Sequence, residues 1–328
     1  MNHCLSITVS LFLSCYLSTS TAVSAALPVK ALLLTSPGVY HNYEHQTQLL
    51  TQGISQHANV HFDISVAQLQ RWETTDYSEG YDVLIYNICM ADNTNSALIE
   101  NMRRQTEALG VPALFLHCAM HSFRTTDKWW PLFGLQTKAH EHLRSLPQTK
   151  ATKHPVLGGI GKDWTVAKDE LYINLAMDAQ PLLTSTGGDK QEHTTTWLKQ
   201  IDGTTVFGTT LGHTDETLQD PSFQRLIGNA LLYVTHHLTP SGEPEPAYAA
   251  TAGANTVIGE ISNGEGAGFL GEEGKDCVNM LFVGAIGPCY AGCTLNPLHW
   301  GEETQACKDL CVTKLPSSDE AIAACSSS

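Results

Sequence analysis

Three short apolar runs set most of what this chain can fold into. Val29–Thr35 (VKALLLT), Tyr81–Tyr86 (YDVLIY) and Pro112–Leu116 (PALFL) are almost continuously hydrophobic. A strand with one face in water alternates apolar and polar side chains, whereas a near-continuous apolar run buries both faces, as in a parallel sheet covered by helices. The first run is broken by Ser36-Pro37-Gly38, and Glu44–Gln56 then reads as a helix with Leu49, Leu50 and Ile54 on one side. His61–Val66 reads as another strand and Asn95–Leu109 as another helix. Late in the chain, Thr204–Leu211 (TTVFGTTL) is a strong strand. Ser222–His236 is a closing helix, with Phe223, Leu226, Ile227, Ala230, Leu231 and Val234 at helical spacing. Strands alternating with helices predict an α/β fold with a parallel sheet. Between Gly134 and Ala179 the pattern is harder to read, with a turn region at His154–Gly161 and a strand at Glu170–Ala176; Thr195–Gln200 reads as a further strand.

The two ends have a different character. Leu5–Leu17 is apolar and is followed by small residues in Ser18–Ala26, which predicts a signal peptide over residues 1–26, although the stretch before it has no Lys or Arg. The expectation is an exported protein, periplasmic or extracellular, with no membrane span, because the run is too short to cross a bilayer. Thr239–Pro246 (TPSGEPEP) opens a linker, and residues 239–276 are rich in Gly, Ala and acid. Six of the ten cysteines lie in residues 277–328, which predicts an irregular cysteine-rich tail. Cys289/Cys293 and Cys307/Cys311 fit either disulfides or a four-cysteine zinc site, and an export signal favours disulfides. The formal charge is −15, and from residue 241 onward 12 acidic residues face 3 basic ones. That excess argues against nucleic acid and anionic lipid as partners, since both require basic patches.

Ligands of an open parallel sheet bind at the carboxyl ends of its strands. The residues following the strands therefore carry the functional reading. They are Tyr40-His41-Asn42-Tyr43, Asn87-Ile88-Cys89-Met90, His117-Cys118-Ala119-Met120-His121 and Gly212-His213-Thr214-Asp215. Thirteen of the 15 histidines lie between His41 and His237. If the strands are parallel, His41, His117 and His213 share one edge of the sheet.

The runs HCAMHSFR (His117–Arg124), AHEH (Ala139–His142), HPVLGGI (His154–Ile160), DELY (Asp169–Tyr172) and VFGTTLGH (Val206–His213) occur in this order. Together with DPSF (Asp220–Phe223) they resemble the ThuA-like family of trehalose-utilisation proteins, over about Val29–His236. The resemblance implies a domain at 27–238 with the flavodoxin-like, three-layer parallel sheet of class I glutamine amidotransferases. It also implies a place in carbohydrate catabolism, with a small-molecule carbohydrate as partner.

Two chemistries compete for the strand-end residues. In one, Cys118 is a nucleophile with His213 as base and Asp215 orienting it, as in an amidase or amidotransferase. The flanking Leu116 and Met120 stand where such elbows carry glycines. In the other, a divalent metal such as Zn²⁺ is held by His41, His117, His121, His140 and His213, or the histidines act directly as acid and base. Glu170 or Asp215 would then move a proton in an isomerase, lyase or hydrolase reaction on a keto-sugar or trehalose-type glycoside. Tyr40, Asn42, Arg124 and Trp129 are the substrate-binding candidates. A non-catalytic sugar-binding module is the remaining alternative. Each residue also has a plain structural reading: Cys118 as a small buried apolar group, Trp129 as a packed lid, a lone histidine as a capping or core residue.

Overall fold

The computed structural model describes residues 28–36, 41–250 and 256–264. The signal-peptide reading, Tyr40 and the tail cysteines lie outside the described residues.

The described residues begin with β1 (Val29–Thr35), α1 (Tyr43–Ser55), β2 (Val60–Val66), α2 (Leu69–Thr74), β3 (Val83–Asn87), α3 (Ser96–Glu107) and β4 (Ala113–Leu116). A less regular half follows: α4 (Trp130–Phe133), β5 (Leu135–His140), β6 (Arg144–Pro147), β7 (Thr149–Lys150), β8 (Thr165–Asp169), β9 (Tyr172–Met177), β10 (Gln180–Thr186) and β11 (Glu192–Ile201). It closes with β12 (Thr204–Thr209), α5 (Asp215–Gln219), α6 (Pro221–Val234) and β13 (Val257–Asn263).

Among the described residues, nine strands form the central sheet in the order β13-β2-β1-β3-β4-β12-β11-β10-β7. From β13 to β12 every neighbouring pair is parallel, and β11, β10 and β7 extend the sheet antiparallel. The segment β2-β1-β3-β4-β12 has the flavodoxin-like order, in which connections reverse direction between β1 and β3. Alternation along β1 shows why the apolar runs are continuous. Ala31 and Leu33 pack into a core with Leu50 of α1 and Leu226, Ile227 and Leu231 of α6. Leu32 and Leu34 pack on the other face with Trp72 of α2, Leu98 and Met102 of α3 and Phe133 of α4. Helices thus cover both faces, giving three layers.

Local chemistry sets the helix starts. The side chains of Asn42, Asn95 and Asp220 accept backbone N–H bonds at the starts of α1, α3 and α6, as N-caps do. The middle region resolves into two small antiparallel pairs, β5 with β9 and β6 with β8. The stretch read as a linker is partly structured: Tyr248 stacks on His237 with ring centroids 3.4 Å apart, and β13 adds an edge strand beside β2. Among the described residues no helix is long and apolar enough to cross a membrane.

Candidate functional site

Because β1, β4 and β12 are parallel members of one sheet, their carboxyl ends share an edge, and the residues following them meet. The ring centroids of His41 and His117 lie 4.9 Å apart, those of His41 and His213 4.8 Å, and those of His117 and His213 5.2 Å. One ring nitrogen from each of the three lies within 4.8 Å of the others.

His117 is the most constrained member. It follows β4 directly and opens a single 3-10 turn, His117–Met120, with φ of 45°. A bulky L-residue in that left-handed region costs about 1–3 kcal/mol, so the surroundings must hold it there. The Thr210 carbonyl lies 2.7 Å from His117 Nδ1. A carbonyl can only accept, so Nδ1 carries the proton and the lone pair of the neutral ring sits on Nε2. Around Nε2 stand His213 Nδ1 at 3.2 Å, the Tyr172 hydroxyl at 3.3 Å and Glu170 Oε2 at 3.6 Å.

Glu170 joins the site's histidines. Its Oε2 also lies 3.3 Å from His213 Nδ1, and its Oε1 lies 3.4 Å from His140 Nδ1. Asp169, beside it, serves the backbone. Its two carboxylate oxygens accept N–H bonds from Gly212 at 2.8 Å, His213 at 3.2 Å and Glu170 at 2.8 Å. Gly212 makes this turn possible with φ of 121°, a conformation that side-chain-bearing residues rarely adopt. The sheet edge thus sets the histidines' positions, and a buried carboxylate holds the loop that carries His213.

The electrostatics follow from burial and from Glu170. Burial, reinforced by the neighbouring His213 and His140, lowers the His41 pKa to about 3. Burial and the adjacent His41 and His213 hold His117 well below the ordinary imidazole range. For His213 burial also works against the charged ring, but the hydrogen bond and charge of Glu170, with the charge of Asp169, outweigh it and raise the pKa. Burial and the charge of Glu170 push the Tyr172 phenol well above its ordinary value, so it remains an O–H donor. The edge thus holds two neutral imidazoles and a third that shares a proton with a carboxylate. That donor set fits a divalent cation such as Zn²⁺. Four buried polar atoms on or beside these strand ends have no hydrogen-bond partner among the described residues: Thr35 Oγ1, Tyr43 OH, Asn87 Nδ2 and Thr210 Oγ1.

Several expectations change. Cys118 is disulfide-bonded to Cys89, so in this structure it has no thiol with which to attack, and the nucleophile reading gives way to a cross-link between the ends of β3 and β4. Asp215 does not orient His213; as the first residue of α5 it pairs with His45 Nδ1 at 2.8 Å, and Glu170 takes the place beside His213. His121 is outside the three-histidine group, stacked on Tyr172 with centroids 4.0 Å apart and bonded to Thr137. His140 touches the site through Glu170 rather than joining the group. Trp129 is 1% exposed, and its ring packs edge-on against Tyr86, Phe115 and Phe123. It is a core residue with no face for a sugar. Asn42 is exposed at the start of α1, and its side chain caps the helix. Arg124 lies 3.5 Å from Asp92. The reading from sequence named neither Asp169 nor Tyr172 as site residues, although both stand in the DELY run beside Glu170.

The geometry agrees with what the chain resembles. A family model described as ThuA, trehalose utilisation, matches residues 30–234. Among solved structures, a ThuA-like protein from Parabacteroides merdae ATCC 43184 is similar at 18% identity and a TM-score of 0.54, over 68% of this chain and 97% of that one. A ThuA-like protein from Bacteroides uniformis ATCC 8492 is similar at 15% identity and a TM-score of 0.49, over 68% of this chain and 96% of that one. No curated protein matches the chain.

Proposed function

Because the chain belongs to the ThuA family, described by trehalose utilisation, we propose that it is a carbohydrate-active enzyme whose strand-edge site transforms a keto-sugar or keto-glycoside. The observation that carries this reading is the convergence of His41, His117 and His213 on one edge with Glu170 against two of them. His41, His117 and His213 would hold a divalent cation, which when bound would polarise a sugar carbonyl.

The chain's own groups supply the proton chemistry. A carbonyl acidifies the neighbouring C–H bond, and the Glu170 carboxylate accepts that proton while the electron pair moves onto the carbonyl oxygen as an enediolate. His213 Nδ1, 3.3 Å from Glu170 Oε2, orients the carboxylate that takes the proton. Delivery of the proton to the former carbonyl carbon isomerises the sugar; departure of a substituent from the carbon beyond the deprotonated one completes an elimination. The Thr210 carbonyl fixes the tautomer of His117. Tyr172, held protonated by its burial, donates to the developing oxyanion. The Tyr43, Asn87 and Thr210 groups, without a partner among the described residues, offer bonds to a ligand rich in hydroxyls.

The test combines metal analysis of protein purified without chelator with proton NMR in deuterated buffer, using trehalose-type disaccharides and their 3-keto forms. The expected result is solvent exchange or turnover at the carbon beside the carbonyl, lost in Glu170→Gln and His213→Ala. Saturable binding without exchange or product would replace this reading with a sugar-binding module. Unchanged turnover in both His41→Ala and His213→Ala would refute the role of the edge.

A further inference from the structure

The Cys89–Cys118 disulfide lies against the site, and nothing in the proposed reaction uses it. One ring nitrogen of His41 and the Sγ atoms of Cys89 and Cys118 lie within 4.8 Å of one another. His41 is therefore common to two groups of potential ligands, the three imidazoles on one side and the two sulfurs on the other. Cys118 is buried, whereas Cys89 is half-buried and follows the end of β3, which leaves a route for a small reductant. The Cα atoms are 5.0 Å apart, and both residues are fixed to adjacent strands of one sheet. Breaking the bond would therefore leave the two sulfurs close together.

We propose that Cys89, Cys118 and His41 form a redox-gated site for a thiophilic divalent cation. A dithiol reduces the disulfide: two electrons and two protons enter, the S–S bond breaks, and the reductant becomes a disulfide. The two thiols then release their protons as they bind the cation, because thiolate is the ligating form. Two sulfurs and one imidazole suit Zn²⁺ and leave a fourth position open. The oxidised protein lacks both sulfur ligands, and His41 is available to the imidazole group. The reduced protein offers His41 a competing partnership. The thiolate site stands without the three-histidine reading, but its control over that site rests on it.

Cobalt(II) is the probe, because thiolate ligation adds a sulfur-to-cobalt charge-transfer band that nitrogen and oxygen ligands do not give. The full chain is compared before and after reduction with a water-soluble phosphine, removed anaerobically, beside a Cys89→Ser/Cys118→Ser variant. The variant keeps the other eight of the ten cysteines, so the difference spectrum isolates this pair. The expected result is a charge-transfer difference band in reduced protein only, with cobalt affinity at least about tenfold lower in His41→Ala and the band kept in His213→Ala. Thiol counting and circular dichroism establish that each variant is reduced and folded. Reduced, folded protein with two additional thiols but no difference band would overturn the proposal, as would a band whose affinity is unmoved by His41→Ala. Failure of the three-histidine site reads out separately, as oxidised protein whose cobalt binding is indifferent to His213→Ala.

Discussion

Replacing Asp169 by Asn should stabilise the fold at neutral pH while loosening the loop that carries His213. Asp169 is 0% exposed. Burial raises its carboxyl pKa from 3.8 to about 6, against hydrogen bonds from Gly212, Glu170, Thr217 and His213 that pull it down. When the folded-state pKa exceeds the unfolded one, the folded chain binds more protons in the interval between them. This carboxyl's contribution is thus fully present below pH 3.8 and is lost as pH rises through about 6. A gap of roughly two pH units at about 1.4 kcal/mol each is worth about 3 kcal/mol.

An asparagine is neutral at every pH and has the size and donor-plus-acceptor character of the protonated acid. Variant and wild type should therefore be nearly equal in stability at about pH 3.5. Near pH 7.5 the variant should be the more stable by about 3 kcal/mol. Urea unfolding with linear extrapolation at the two pH values measures the difference of differences. Parallel stability curves would refute the reasoning, because they would mean that the backbone N–H bonds repay the burial of the charge in full. The same substitution should lower turnover, since Asn can satisfy fewer of the three amides that Asp169 now holds.

Three further outcomes separate the residues that build the site from those that only lie near it. Glu170→Gln removes the partner that raises the His213 pKa and leaves burial in control, so histidine NMR titration should show His213 falling below 6.5; an unmoved His213 would place the source of the shift elsewhere. Asp215→Asn breaks only a pair whose side chains are each 42% exposed, so denaturant unfolding should change by less than about 1 kcal/mol, with turnover unchanged; a large loss of turnover would restore Asp215 to the site. Trp129→Ala removes a fully buried indole and should cost about 3–5 kcal/mol in urea unfolding, while the fraction still folded binds sugar with unaltered affinity.

The legible part of the fold was the part whose burial is symmetrical. β1, β3 and β4 are covered on both faces, and that leaves continuous apolar runs that local sequence displays directly. β13 is the opposite case. Five consecutive residues from Val257 to Ile261 are exposed, and the strand is held by backbone pairing with β2. Pairing of that kind places no demand on side chains, so it writes no period into the sequence. β5 fails for a related reason: its pattern runs from buried Leu135 to exposed His140, with register shifts against β9 that break any alternation. Asp215 was misplaced because closeness along the chain was taken for closeness in space; the start of α5 turns its side chain to His45 on α1 instead.

The site itself was half legible, and the division has a structural cause. Topology alone brings the residue after β1, the residue after β4 and the loop after β12 to one edge, so three histidines at those places could be grouped without any side-chain geometry. The flanking Leu116 and Met120 already favoured His117 over Cys118, which left open how the turn holds the imidazole at the edge. The backbone answers this: φ is positive at His117, and Cys118 lies inside the 3-10 turn, buried against its disulfide partner. A strained residue at the end of a parallel strand is held where its side chain faces the carboxyl edge. In the amidotransferase arrangement a thiol would stand at that position; here an imidazole does. With Nδ1 committed to Thr210, that imidazole presents Nε2 to His213, Tyr172 and Glu170. The elbow therefore delivers a neutral nitrogen lone pair, suited to a cation or a proton, while the adjacent cysteine is committed to its disulfide with Cys89.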